Sequence, residues 1–273
     1  MKLQHVPAKQ GALWVRQSFL LFFKHPLAFS ALLATFLFGG LLLVTLPWIG
    51  PLVSLAALPL VTVAFMIASR QAVEKNINST PMVFVEPLQK TATNRRALVQ
   101  LGLVYAVCSL LIMALAGWVD GGTFAKLQAM MLDDSTKPEE VRALLQDPQM
   151  SWGMTLRFGL AALLTIPFWH APALTHWGGY SWGKALFFSW MACWRNKGAF
   201  FVYSLTWVAV VLLFAVLSSL VLSALGQPRW VVLMSLPAGL MFTTAFYASL
   251  YFTYADCFSD GSNTAQAEET PHA

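Results

Sequence analysis

The sequence predicts an all-α polytopic membrane protein, six transmembrane helices arranged as three hairpins with basic interfacial helices, and three observations carry that reading. Of 273 residues, 58% are apolar and only 11% charged, where an ordinary soluble domain has about a quarter charged. Six stretches approach the roughly 20 apolar residues that a helix needs to cross a bilayer. The charges that remain lie almost entirely between those stretches. A large soluble catalytic domain has no room in such a chain.

The elements follow in order. Residues 9–24, KQGALWVRQSFLLFFK, place Lys9, Arg16, Gln17 and Lys24 on one side of a helical wheel and Trp14, Val15, Phe19 and Phe22 on the other. This is the pattern of a basic helix lying on a membrane surface. It is too polar for a secretory core and no small-residue cleavage site follows, so the N-terminus is expected to be retained. Pro26 suits a helix start, and residues 27–46 make the first span. The turn PWIGP leads to a second span at 52–68, closed by Arg70. Residues 69–97 form a basic connection that holds Arg70, Lys75, Lys90, Arg95 and Arg96 against Glu74 and Glu86.

A third span at 98–118 ends in WVDGG, with Asp120 at its boundary. Residues 119–152 form a polar insertion rich in acids, including Asp133, Asp134, Glu139, Glu140 and Asp147. Thr136 and Glu139 fit a capping box, which predicts a short helix from Lys137 to Gln146 docked through Val141, Leu144 and Leu145. The fourth span is 154–174, with Arg157 near enough to its outer end to snorkel. A second basic segment, 180–198, sets Lys184, Arg195 and Lys197 among aromatic residues. Spans five and six, 199–225 and 230–254, are joined by GQPR. Residues 1–258 thus make one transmembrane domain, and 259–273 are expected to be a disordered cytoplasmic tail.

Charge counting orients the chain. The N-terminal segment, 69–97 and 180–198 together carry twelve Lys and Arg, and the opposite side has five: Lys126, Lys137, Arg142, Arg157 and Arg229. The positive-inside rule places both termini in the cytoplasm and the 119–152 insertion in the periplasm of a bacterial inner membrane.

The chain also resembles itself. SFLLFFKHPLAF, Ser18 to Phe29, aligns without gaps to SWMACWRNKGAF, Ser189 to Phe200, each before an apolar hairpin. Pro59, Pro167 and Pro237 each interrupt the second helix of a hairpin. Both patterns fit an internal repeat.

Chemistry is sparse. In PFWHAPALTHWGG, His170 and His176 stand six residues apart, about 120° and roughly 9 Å from each other on a helix, where paired metal ligands use spacings of three or four. Pro172 between them removes a helical hydrogen bond and bends the segment. His170, Pro172 and His176 are the candidate functional residues in the membrane, and a satisfied structural histidine competes with a ligand or proton site at each imidazole. Asp120 is placed to pair with Arg157, and Arg70 to meet Asp256. Lys9, Arg16, Lys24, Lys184, Arg195 and Lys197 form an anionic-lipid interface. No G-x-S-x-G, H-E-x-x-H or G-x-x-x-x-G-K-[ST] motif occurs, and no span carries a carboxylate at its middle. Cys108, Cys193 and Cys257 lie far apart, against a disulfide framework or zinc ribbon. Neither a catalytic residue, a cofactor nor a metal is predicted, and the basic charge points to lipid and not to nucleic acid.

The stretches VPAKQGALWVRQSFLLF, PFWHAPALTHWGG and WRNKGAF resemble an uncharacterised family of proteobacterial integral inner-membrane proteins. That resemblance implies location and topology, and no catalytic residue. More distantly the arrangement looks like the membrane domain attached to some glycerophosphodiester phosphodiesterases, whose catalytic barrel is absent here. Three functional readings stand: a non-enzymatic component that organises lipid or supports a protein partner or a second copy of the chain, a permease or carrier for a small or lipidic molecule, and an intramembrane enzyme that uses His170.

Overall fold

The computed structural model describes residues 2–47, 49–131, 133, 136–226 and 230–259. Twelve α-helices, one 3-10 turn and two short strands make up the described residues. Trp48 in the first turn, Asp134 in the insertion, Gln227 to Arg229 in the last turn and the tail from 260 lie outside them.

Helix α1 (Gln10–Lys24) is followed after a one-residue break at His25 by α2 (Pro26–Val44), the first span, with Pro26 in its first turn. The next, α3 (Ile49–Lys75), contains Pro59 and is the central helix: Val63 through Ala68 are buried on every side. In a helix, six consecutive buried residues mean neighbours all around. The 3-10 turn Pro81–Phe84 and the short α4 (Glu86–Gln89) lead to α5 (Ala92–Val119), which is capped by the Thr91 side chain. It starts six residues before the expected boundary, because a helix outlasts its apolar stretch once its polar turn has a cap.

The insertion is shorter and more helical than its composition predicts. It contains α6 (Thr123–Met131) and α7 (Pro138–Leu145), and α8 (Pro148–Phe168) already begins inside it. Asp147 caps α8 by accepting from the Gln149 N–H at 2.8 Å, with Pro148 in the first turn. The expected capping box does not form. Lys137, not Thr136, is the N-cap of α7 and no side chain caps it, because Pro138 fixes the start of the helix through its own φ. Val141 and Leu144 are half-buried and Leu145 is exposed.

The fourth span is not one helix. It breaks after α8 at Trp169 and His170, and resumes as α9 (Ala171–His176) with Pro172 in its first turn. Pro167 and Pro172 supply no N–H to the Leu163 and Phe168 carbonyls, so two hydrogen bonds are lost within one turn. Helix α10 (Trp182–Arg195) then leads, across a one-residue break at Asn196, to α11 (Lys197–Ala224). Finally α12 (Trp230–Cys257), which runs unbroken through Pro237, is the sixth span.

Hairpin partners α2 with α3, α5 with α8, and α11 with α12 pack against each other, but so do helices of different hairpins. Helix α3 lies between α5 and α12, and α1 lies on α11 and α12. Small residues set these approaches. A Cβ on Gly102 would come within 2.2 Å of the Ala56 carbonyl, and one on Gly11 within 2.2 Å of the Ala199 carbonyl. Gly102 and buried Ala106 form the small-xxx-small spacing through which membrane helices reach backbone contact.

The two ends of the described residues meet. Strand β1 (Lys2–Leu3) pairs antiparallel with β2 (Phe258–Ser259), so Ser259, expected in the tail, belongs to a strand. The Gln4 N–H donates to the Cys257 carbonyl at 2.9 Å. Along the outside, large apolar side chains such as Leu212, Leu213, Leu217 and Leu220 on α11 are more than half exposed. A continuous apolar exterior of this kind requires lipid as its solvent.

Candidate functional site

The break between α8 and α9 brings three buried polar side chains together, His170, Ser189 and Thr253. With the helix interrupted, the His170 N–H donates to Ser189 Oγ on α10 at 2.9 Å, and the hydroxyl of Ser189 donates to the Ile166 carbonyl at 3.3 Å. Cys193 Sγ, one turn further along α10, lies 3.6 Å from the same carbonyl. Groups that a continuous helix would pair internally are therefore satisfied by α10, which pins that helix to the break.

The His170 ring faces α12. Its Nε2 lies 3.2 Å from Thr253 Oγ1, and Trp169 Nε1–H donates to the same oxygen at 3.1 Å. The Thr253 hydroxyl spends its only proton on the Leu250 carbonyl at 2.8 Å. It can therefore only accept from His170, which puts the imidazole proton on Nε2. His170 Nδ1 is buried with no protein partner. Phe200, Tyr254 and Phe258 surround the fully buried ring at 5.4 to 6.1 Å between centroids.

His176 belongs to a different environment at the far end of α9. Its carbonyl accepts from Lys90 Nζ at 2.6 Å and from Asn94 Nδ2 at 3.2 Å, and its ring meets the edge of Trp177. The Arg70 guanidinium lies over the Trp177 ring, 5.3 Å from its centroid. Among the described residues, no group of three His, Cys, Asp or Glu side chains is placed to hold a metal ion.

A crevice of about 140 Å³ opens between α3, α5, α8 and α12, beside Pro59, Thr62, Tyr105, Thr165, Trp169 and Tyr247; α3 and α12 run unbroken through Pro59 and Pro237, and only the fourth span is interrupted. Its lining is mostly apolar. Such a volume is about that of five waters, at roughly 30 Å³ each.

Charged candidates have found partners near the ends of the spans. Arg157 Nη2 bonds Asp120 Oδ2 at 3.0 Å, with Asp120 fully buried and the guanidinium 4.0 Å above the Phe124 ring. Gly153 makes room for this, since a Cβ there would sit 2.3 Å from Asp120 Cβ. Arg70 Nε donates to both oxygens of Glu74 at 2.9 and 3.0 Å, and Tyr251 Oη donates to Glu74 at 3.1 Å. Asp256 accepts from Gln10 Nε2 at 2.8 Å and Trp14 Nε1 at 2.6 Å, which ties α1 to the end of α12. Glu74, Gln10, Trp14, Thr253 and Ser189 were missed as site residues. Only Glu74 left a local signal, the i,i+4 spacing from Arg70.

The two segments matched by sequence share one local form. In each a helix ends at a cation, Lys24 or Arg195, and a single buried residue, His25 or Asn196, separates it from a span. Asn196 accepts from the Val6 N–H at 2.8 Å and donates to the Gln4 carbonyl at 3.1 Å, which fastens the N-terminus. The outward face of α1 carries Lys9, Leu13, Arg16, Leu20, Phe23 and Lys24, and that of α10 carries Lys184, Phe187, Trp190, Trp194 and Arg195, with Lys197 Nζ 5.6 Å from the Trp194 ring centroid. Sequence periodicity put only the bases on the outer side of α1; the large apolar residues between them share it.

Among the described residues, six helices long and apolar enough to cross a membrane, together with an apolar exterior, define a multi-pass α-helical membrane protein. The chain is 34% identical over 261 residues to the probable inner membrane protein BTH_II0599 of Burkholderia thailandensis, covering 94% of both chains. It belongs to the family of that inner membrane protein. No family model matches the chain, and no solved structure does.

Proposed function

We propose that the protein is a non-enzymatic component of the inner membrane that gathers anionic phospholipid at the cytoplasmic leaflet, and through it a partner protein or a second copy of itself. The outward faces of α1 and α10 carry this reading. Cations alternate there with exposed Leu, Phe and Trp, a surface suited to the boundary between headgroups and acyl chains. The excess of bases on these faces supports cytoplasmic termini. The match between Ser18–Phe29 and Ser189–Phe200, read as an internal repeat, makes the two faces related devices. The distant likeness to the membrane domain of glycerophosphodiester phosphodiesterases points in the same lipid direction.

Native mass spectrometry of gently extracted protein tests the reading. Phosphatidylglycerol or cardiolipin is expected to stay bound, and replacing Lys184, Arg195 and Lys197 together by Gln weakens binding of anionic lipid by about a hundredfold, at about 1 kcal/mol per charge. A bare monomer without lipid or partner overturns it. For orientation, an impermeant maleimide applied to intact cells is expected to label Gln146→Cys and not His5→Cys. Background from Cys193 is low, because burial, with Cys257 nearby, pushes its thiol up and keeps it protonated.

The carrier reading has one observation in its favour, the crevice among α3, α5, α8 and α12. At about 140 Å³ it is smaller than the roughly 300–1,000 Å³ of an ordinary ligand pocket, which weighs for the structural role. Uptake or efflux of a lipidic solute that is abolished by Thr62→Phe would reverse that order.

A further inference from the structure

The crevice between α3, α5, α8 and α12 lies near the middle of the four spans, at Thr62, Tyr105, Thr165 and Phe246. We infer that it is a binding site for the carbonyl-bearing ring of a molecule dissolved in the bilayer, the chemistry of a lipid-soluble quinone. Such a site is separate from the outward faces of α1 and α10 and does not depend on them.

The polar groups of the crevice call for an acceptor. The Thr62 hydroxyl donates to the Leu58 carbonyl at 3.1 Å and the Thr165 hydroxyl to the Ala162 carbonyl at 2.7 Å. The Trp169 N–H is taken up by Thr253 at 3.1 Å, and Tyr105 has Ser109 beside it on its own helix. Tyr247 is different: it lines the crevice half-buried, and no described residue bonds its hydroxyl. Unlike the unbonded ring nitrogen of His170, that oxygen is not sealed inside the protein. A phenol at this depth needs a hydrogen-bond acceptor, which hydrocarbon tails cannot supply. A carbonyl oxygen supplies one.

Shape and depth select a ring. Phe168, Trp169, Phe246, Tyr105 and Tyr247 give the crevice aromatic walls, and Tyr247 is itself held by stacking on Phe65 with 5.0 Å between centroids, so its hydroxyl is fixed in place. An apolar cleft with one placed polar group is the usual form of a small-molecule site. The enclosed volume of about 140 Å³ is on the scale of a single ring, and the tail of the ligand has a way out. Helix α8 packs on α5 and α10, and α12 on α3 and α1, so α8 and α12 are not packing partners where the crevice opens beside the exposed Thr165. The ester carbonyls of phospholipids stay at the headgroup boundary, far from mid-span, whereas a carbonyl on an apolar ring reaches this depth.

The test uses the full chain in phosphatidylcholine nanodiscs, an azido-quinone photolabel whose attachment is mapped by peptide mass spectrometry, and decylubiquinone as competitor. Label is expected on the segments around Thr62, Tyr105 and Tyr247 and is displaced by decylubiquinone. Tyr247→Phe keeps the ring and removes only the hydroxyl; it is expected to raise the competitor concentration needed for displacement roughly fivefold, as loss of one hydrogen bond does. Tyr180→Phe, in the turn before α10, leaves that concentration unchanged. Thr62→Phe fills the crevice and abolishes the specific label, and Tyr247→Phe carries the test if the bulkier variant fails to fold. Displacement that is the same in wild type and Tyr247→Phe, or that decylbenzene achieves as well as decylubiquinone, would overturn recognition of a carbonyl. Label scattered over the lipid-facing residues of α11 and insensitive to competitor would overturn the site itself.

Discussion

At the scale of residues, one hydroxyl serves three groups: Thr253 gives its proton to Leu250 and receives those of Trp169 and His170. Thr253→Val leaves the indole and the imidazole unsatisfied in the interior. It is expected to cost about 1–3 kcal/mol per stranded donor, seen as a lower unfolding midpoint in detergent, while Thr253→Ser stays close to wild type. Asp120 and Arg157 make the other buried commitment. Asp120→Ala strands a guanidinium that is 15% exposed and is expected to cost about 3 kcal/mol. The double replacement Asp120→Ala with Arg157→Met should recover part of that loss, since it removes the stranded charge; a fully additive double variant would show that the pair is not coupled. His170 stood out in the sequence as a rare ionisable group in an apolar run. Its partners did not, because Thr253 is 83 residues away and a threonine in an apolar helix resembles any other.

At the scale of elements, the spans were legible because apolar length alone identifies them, whereas their ends were not. Caps at Thr91 and Asp147 carried α5 and α8 past the apolar boundary. The break at Trp169 and His170 was half legible: Pro167 and Pro172 announce lost hydrogen bonds, but a bend and a full interruption look alike in sequence. What α10 contributes there, through Ser189 and Cys193, required its position against α8. The approach of α3 to α5 rests on Gly102. Gly102→Ala drives a methyl into the Ala56 carbonyl and is expected to destabilise by about 1–3 kcal/mol through overpacking. Gly117→Ala on the same helix, where a methyl meets nothing within 4 Å, is the control and should be neutral or better by the same thermal assay.

At the scale of the whole molecule, three hairpins were legible and their packing order was not. Lipid-facing and protein-facing apolar surfaces have the same composition, so nothing in periodicity says that α3 is central or that α1 lies on the last two spans. The polar ties between distant segments are the signal that was missing: Asn196 ties the N-terminal segment to the start of α11, and Asp256 ties α1 to the end of α12.

That closure sets a timetable. During synthesis α1 leaves the ribosome before α11 and α12, its docking partners. Its buried residues must wait uncovered, or be chaperoned by the membrane surface, until α12 is inserted. A chain stopped after Gly226 lacks α12, so trypsin is expected to cut it at Lys9 and Arg16 under conditions in which the full chain resists. Equal resistance would mean that α1 is held without its last partner. The docking of α1 thus waits on helices made more than 170 residues later.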